Sequence, residues 1–535
     1  MTLKKFPPLI DALRNPLVYN HPIKKIELVE THISWIILTG HFAYKIKKPI
    51  NLGFVDFSSL DKRRYYCREE LRLNRRLAPF LYLEVVSIGG SDRNPELNAK
   101  DAVIEYAVKM VQFDRDQELD KVLERGELLT THLDRIAWDL AEFHRSAELA
   151  NMESPFGTLE SLRVPMMDNC SQVQDLVNDQ KEKDQIDRIK EWTEASLKDH
   201  REYFLYRKQG GFIRECHGDL HLANLVLIDN RIVVFDALEF NENLRFIDIM
   251  SDLAFLLMDL DDRNHPEFAN RLMNHYLMES GDYDGLKVLR TYKVYRAMVR
   301  AKVTSIRLNQ SDVRSDEIKV LREAHRSYIE LAEKYIGKKR NYLLLMSGFS
   351  GAGKSVTAER ISQAGDAIWI RTDIERKRIA NRPSESKTDS RLEEGIYTPG
   401  VTQQTYDRIG YHAESLLKEG YSVILDGTFL LRNQRMLMSN IAQKIKVPYL
   451  ILNCTVPDSE LRKRIVMRKE EGIDPSEADL NVLERQIIKF EPYSNEERPH
   501  VLTLNTTQLP IIQDIMSEID RKINFFKENE SSRGL

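Results

Sequence analysis

Hydrophobic and polar positions alternate with a period of two through much of the first hundred residues. Residues 33–38 (ISWIIL), 42–50 (FAYKIKKPI), 85–90 (VVSIGG) and 102–110 (AVIEYAVKM) each predict a strand. Beyond Thr130 and Thr131, either of which can cap, Ile136, Leu140 and Phe143 fall on one helical face. Long helical patterns fill 249–335, broken at Asn264-His265-Pro266 and at Gly281. A basic stretch, 337–340 (GKKR), comes next. Strand and helix patterns then alternate, with the apolar runs at 342–349, 367–373, 421–429, 448–456 and 501–507. That alternation predicts a parallel sheet covered by helices. The change of pattern puts a domain boundary at the basic stretch, giving an α+β domain over 1–336 and an α/β domain over 341–535.

Composition supports two cores. A chain of 535 residues exceeds what a single core fills, roughly 250–300 residues. Lys+Arg 79 against Asp+Glu 83 leave a net charge of −4, which excludes a polybasic nucleic-acid coat. The four cysteines (Cys67, Cys170, Cys216, Cys454) show no metal-ligand spacing and fit a reducing compartment. The purest apolar run, 253–258, falls far short of the roughly 20 residues a membrane span needs. The start lacks a signal-peptide pattern, so the expectation is a cytoplasmic protein away from membranes.

In the second half, Gly348-Phe-Ser350-Gly351-Ala352-Gly353-Lys354-Ser355 fits G-x-x-x-x-G-K-[ST] between an apolar strand and a helix. Glycines there let backbone N–H groups from Gly348 to Val356 wrap the phosphates of ATP at a helix N-terminus. Lys354 is expected on the β- and γ-phosphates and the Ser355 hydroxyl on Mg²⁺. The strand 421–429 ends in Asp426 without the adjacent Glu of a water-activating ATPase. The strand before it delivers Arg371-Thr-Asp373-Ile-Glu-Arg376, where an Asp at the sheet's carboxyl edge can take a proton from an acceptor hydroxyl. Arg376, one turn on, can hold a phosphate or the acceptor; Asp373 can also be a helix cap. Arg464 and Arg468, four apart on a later helix, suit a lid that closes over ATP. The R-x-D-x-x-R pattern resembles the phage polynucleotide kinase and zeta-toxin branch of P-loop kinases, and the resemblance makes Asp373 the general base.

In the first half, Cys216-His217-Gly218-Asp219-Leu-His221-Leu-Ala-Asn224 carries H-x-D-x-x-x-x-N. The turn Asp229-Asn230 and the strand 232–236 bring Asn224 opposite residues 235–236, so an amide oxygen and the Asp236 carboxylate converge as Mg²⁺ on ATP requires. Alternation puts Lys45 and Lys47 on one face, so one or both can point at the cleft, and Glu70 is the natural partner. The stretch from His217 to Asp236 resembles the aminoglycoside phosphotransferase family, with a protein-kinase-like fold. That resemblance makes Asp219 the base, Asn224 and Asp236 metal ligands, His217 a brace and His221 a loop residue. It favours Lys47 as the ATP lysine, from the basic-Pro segment, and makes Glu105, Ala107 and their neighbours the interlobe connection facing adenine. No G-x-G-x-x-G precedes the lysine strand, and Ala237-Leu238 replaces Phe-Gly after the metal Asp.

Nearly the whole chain resembles bacterial two-domain proteins with an aminoglycoside-phosphotransferase-like domain fused to a P-loop ATP-binding domain. The resemblance implies a tandem phosphotransferase moving the γ-phosphoryl group of Mg-ATP to a hydroxyl of a small molecule or nucleotide. One rival reading makes one half a non-catalytic ATP sensor; another makes the P-loop half a toxin-like nucleotide-sugar kinase. Glu239, Glu242, Asp248, Asp252, Asp259, Asp261 and Asp262 could line a site for a cationic acceptor or pair with nearby arginines. A nucleic-acid end is possible as acceptor but not indicated, because no aromatic residues interleave the basic ones.

Overall fold

The computed structural model describes residues 6–53, 55–310, 313–338, 341–383, 398–471 and 479–533. The chain divides into two compact units, Met1–Asp259 with Tyr295–Val313, and Leu260–Val294 with Arg314–Leu535.

The first unit opens on a six-stranded sheet of order β1-β2-β3-β6-β4-β5. Its strands are β1 (Glu27–Glu30), β2 (Ser34–Leu38), β3 (Phe42–Lys47), β4 (Tyr82–Ser91), β5 (Asn94–Leu97) and β6 (Glu105–Val111), all antiparallel. Ile37, Tyr44, Ile46, Val86 and Ala107 build a core on one face of this sheet. The helix Leu60–Asn74 buries Cys67, Glu70 and Leu73, and Cys67 joins Val108 in a second cluster. Two small two-stranded antiparallel sheets follow. In one, β7 (Ile213–Glu215) pairs with β10 (Phe246–Asp248); in the other, β8 (Leu225–Ile228) pairs with β9 (Arg231–Val234). The predicted turn is there: Asp229 and Asn230 both take positive φ, 47° and 61°, as a tight two-residue hairpin turn requires.

The second unit holds a parallel sheet of order β12-β13-β11-β14-β15. Its strands are β11 (Leu343–Ser347), β12 (Ala367–Arg371), β13 (Ser422–Asp426), β14 (Tyr449–Thr455) and β15 (Val501–Asn505). The near-continuous apolar runs seen in sequence are buried on both faces, as a sheet between helices demands. Residues 260–294 and 314–336, which precede the basic stretch in sequence, pack with this unit. One reason is the free edge of β12. Asn274, on the helix Pro266–Ser280, accepts from Trp369 N at 2.7 Å and donates to Ala367 O at 3.0 Å, so its amide stands in for a neighbouring strand. Asn274→Ala leaves two buried backbone groups unpaired and should cost about 1–3 kcal/mol of this unit's stability. Denaturant unfolding followed at Trp369 measures it. A fragment starting at residue 341 should show at least this loss.

Candidate active sites

In the first unit the loop from His217 to Asn224 is held from behind by carboxylates. Asp252 accepts from His217 N at 3.0 Å and Gly218 N at 2.9 Å, and Asp259 accepts from Leu222 N at 2.8 Å. Gly218 has φ +87°, and a Cβ there would lie 2.7 Å from Leu244 O, so glycine is required. The buried His217 ring pairs with Phe235 O at 2.8 Å, which ties the loop to the end of β9. Burial lowers the pKa of this imidazole.

Asp219 stands at the loop's head. Asn224 Nδ2 donates to Asp219 O at 2.9 Å and to Asp219 Oδ2 at 3.2 Å, and His221 Nε2 lies 3.4 Å from the same carboxylate oxygen. The His221 ring is fixed edge-on against Phe255, 5.5 Å between centroids. Burial opposes ionisation of Asp219, yet His221, His217 and Arg300 together hold its pKa well below the usual carboxylate range. His221 therefore does more than fill the loop.

Phe235 N donates to Asn224 O at 2.9 Å, so the hairpin sets Asn224 beside the residues that lead into Asp236. Asp236 leaves β9 at φ +64°, a conformation that costs about 1–2 kcal/mol for a residue with a Cβ. Three bonds enforce it: Asp236 N to Tyr82 Oη at 3.1 Å, Ala237 N to Asn74 Oδ1 at 2.8 Å, and Leu238 N to His217 O at 3.0 Å.

Of the two strand lysines it is Lys45, not the Lys47 favoured from sequence, that reaches Asp236. Lys45 Nζ lies 2.5 Å from Asp236 Oδ1 and 2.9 Å from Glu70 Oε1. Lys47 is fully buried and donates to Glu70 Oε2 at 2.7 Å and to Glu239 Oε1. Burial works against the Glu70 charge, but the two ammonium groups hold its pKa at about 2. The Asp236 side chain is 41% exposed, so it is the open end of this cluster. With Asn224 Nδ2 committed to Asp219, the Asn224 amide oxygen and the Asp236 carboxylate are the available donors. Two such oxygens, at a place where Lys45 already presents a cation, fit a hard metal such as Mg²⁺.

A second expectation is corrected by the sheet. Glu105 and Ala107 do not form the connection out of the sheet; they lie in β6, where Ala107 pairs with β3 on one side and β4 on the other and Glu105 pairs with Ile88 of β4. The ladder therefore takes up the strand's backbone groups, and Arg63 binds the Glu105 carboxylate through Nε at 2.8 Å. The chain leaves the sheet at Gln112 and Phe113 instead. The acidic residues after Asp236 are likewise engaged. Glu239 meets Lys47, Glu242 meets Arg245 and Asp248 meets Arg207, while Asp252 and Asp259 hold the His217–Asn224 loop. Asp261 pairs with Lys293 and Asp262 accepts from Ser327.

In the second unit β11 runs into the glycine loop and the helix Lys354–Gly365. Gly348 takes φ +133°, and a Cβ there would lie 2.5 Å from Cys454 O, so the loop can close only on glycine. Gly351, Ala352 and Gly353 complete the turn; Lys354 Nζ donates to Phe349 O at 2.8 Å, across the loop it would share with phosphate. Ser355 hydrogen-bonds Asp426, and the Val356 side chain is exposed. Asp426 was passed over in sequence as a site residue. It ends β13 next to Met346 and Arg371, accepts from Trp369 Nε1 at 3.3 Å, and burial raises its pKa against the pull of Arg371 and Lys354. A cation shared by Ser355 and Asp426 would relieve that burial, so this pair also fits Mg²⁺.

Asp373 sits in the first turn of the helix Thr372–Ile379, whose N-cap is Arg371, so capping does not explain it. Its charge is felt at both Tyr406 and Asp426. Arg376 is buried and donates to Thr402 Oγ1 at 2.9 Å, against the helix Pro399–Lys418. Arg464 is anchored by Glu460 Oε1 at 2.8 Å and Thr506 O at 2.9 Å, alongside Gly353. The Arg468 side chain lies outside the described residues. Sequence reasoning also missed Gln486, whose amide accepts from Ser350 N at 2.9 Å and donates to Ser350 Oγ at 3.0 Å. Tyr493 Oη, which donates to Ser347 Oγ at 2.8 Å, was missed too. No local spacing marks either one; they lie 136 and 146 positions beyond the residues they bind.

Residues 66–289 match the model of the phosphotransferase enzyme family, and residues 343–493 match an AAA domain model. The chain joins a phosphotransferase-family domain to a P-loop kinase domain. Both are of kinase type and imply ATP-dependent phosphotransfer. An uncharacterized protein of Mycobacterium tuberculosis is 27% identical over 453 residues, 84% of this chain and 88% of its own length. A choline/ethanolamine kinase family protein from Mesorhizobium loti is 14% identical, with TM-score 0.36, covering 61% of this chain and 99% of its own. A gluconokinase from Sinorhizobium meliloti 1021 is 19% identical, with TM-score 0.25, covering 37% of this chain and 100% of its own. No described helix is long and apolar enough to cross a membrane.

Proposed function

We propose that both domains are active and that each transfers the γ-phosphoryl group of Mg-ATP to a hydroxyl acceptor. The observation that carries this reading is the pair of contacts in the phosphotransferase-family domain that join Asn224 to Asp219 and Lys45 to Asp236. A bound Mg²⁺ would supply positive charge against the ATP phosphates. Asn224 and Asp236 would hold it; Lys45, released from Asp236, would take a phosphate oxygen, with Glu70 keeping the lysine in place. Asp219, ionised and steered by Asn224 and His221, accepts the hydroxyl proton. Phe113, just beyond Gln112, whose N–H is taken by His41 O at 2.9 Å, would be the backbone offered to adenine. Because the acidic residues after Asp236 are already partnered, the reading does not extend to a cationic acceptor held by them.

In the P-loop domain, Lys354 serves the phosphates, Ser355 and Asp426 serve the metal, and Asp373 is the base, with Arg376 orienting the acceptor side. Asp373→Asn should lower acceptor phosphorylation by roughly 10²–10⁴ while ATP affinity stays within a few-fold. Acceptor-free ATP hydrolysis should fall much less, because it needs no acceptor deprotonation. The experiment follows γ-labelled ATP with an Asp219→Asn chain and a panel of hydroxyl compounds, including nucleosides and sugars. Unchanged transfer, or complete loss of ATP binding, rejects Asp373 as the base.

A further inference from the structure

Two lysines and three carboxylates form one buried chain in the phosphotransferase-family domain, running Asp236, Lys45, Glu70, Lys47, Glu239. Lys45 bridges the first two carboxylates and Lys47 the last two, so the two ammonium groups leave one negative charge unbalanced. Burying a net charge is costly unless a counter-charge completes it. Glu70 and Glu239 are closed off, with side chains 0% and 4% exposed, whereas Asp236 is open. The excess can therefore be met from outside only at Asp236. Glu239 is also firmly placed: its backbone oxygen accepts from Arg245 Nη1 at 3.1 Å, and Lys47 sits 4.8 Å over the Phe57 ring.

We propose that Glu239 is a positioning residue for the cation at Asp236. By sharing Lys47 with Glu70, it makes Glu70 rely more on Lys45, which Asp236 also holds, and so eases the release of Lys45 from Asp236 when a cation arrives. The carboxylate at the open end is then free for a divalent cation. The proposal rests on the reading that this domain binds Mg-ATP. It also gives Lys47 a task separate from phosphate binding, which explains why the strand carries two buried lysines on one face.

The charge count makes the test sign-specific. A Lys354→Ala chain, which lacks the P-loop lysine, is titrated with the fluorescent analogue mant-ATP, first in EDTA and then with increasing Mg²⁺. Glu239→Gln balances the cluster internally. The Mg²⁺ midpoint should rise by roughly 10–100-fold, the usual cost of losing a partner behind a metal ligand, while binding in EDTA is unchanged or tighter. Lys47→Met/Glu239→Gln restores one unbalanced negative charge and should bring the Mg²⁺ midpoint back toward that of the parent. A packing role predicts the reverse, with the double variant worse than the single one and binding in EDTA weakened in parallel. That result, or an unchanged Mg²⁺ midpoint in Glu239→Gln, overturns the proposal. Should Glu239→Gln not fold, Lys47→Met alone leaves two charges unbalanced and must lower the Mg²⁺ midpoint; an equal or higher midpoint overturns it equally. If the Lys354→Ala parent binds no mant-ATP, the Mg-ATP reading of this domain falls first and the proposal with it.

Discussion

Asp219→Asn should lower phosphoryl transfer by the phosphotransferase-family domain by roughly 10²–10⁴ and leave Mg-ATP bound. The carboxylate is kept charged by His221, His217 and Arg300 against its burial, so it is ready as a base at neutral pH. An amide of the same shape keeps the contact with Asn224 but cannot take the acceptor proton. Metal binding falls to Asn224 and Asp236 in this scheme, so nucleotide affinity should hold within a few-fold. The measurement is single-turnover transfer in a Lys354→Ala chain, paired with mant-ATP titration. A fall in ATP affinity as large as that of Asp236→Asn would assign Asp219 to the metal and end this division of labour.

The second large effect is on binding. Lys354→Ala should reduce the ATP bound per chain from two equivalents to one, as read by equilibrium dialysis with labelled nucleotide. In the described structure the Lys354 ammonium is buried and spans the glycine loop to Phe349 O. On the proposed reading it exchanges that bond for charge-assisted bonds to phosphate, each worth about 1.5–3 kcal/mol. Loss of such bonds weakens the P-loop site by roughly 10²-fold or more. The other site is built from Lys45, Glu70, Asn224 and Asp236, none of which belongs to the glycine loop. Loss of both equivalents, or of neither, would refute two independent sites.

What was legible in the sequence is chemistry compressed into short stretches. The loop from His217 to Asn224, the Asp229-Asn230 turn and Gly348 to Ser355 each lie within about ten residues, where backbone geometry is set by neighbours and by glycine. The parallel sheet was legible for a related reason, since strands buried on both faces must be apolar throughout. A period of two placed Lys45 and Lys47 on one face, yet it carries no information on depth. Which lysine reaches the cleft was decided by Glu70, Asp236 and Glu239, up to 192 positions away. The same limit put Glu105 and Ala107 at a connection, when pairing with both β3 and β4 makes theirs an interior strand. Asn274 reads as an ordinary polar residue on a helix until β12 offers it an open edge. Side chains that act through one another across the fold leave no spacing to read; burial and the need to pair every enclosed charge assign their partners.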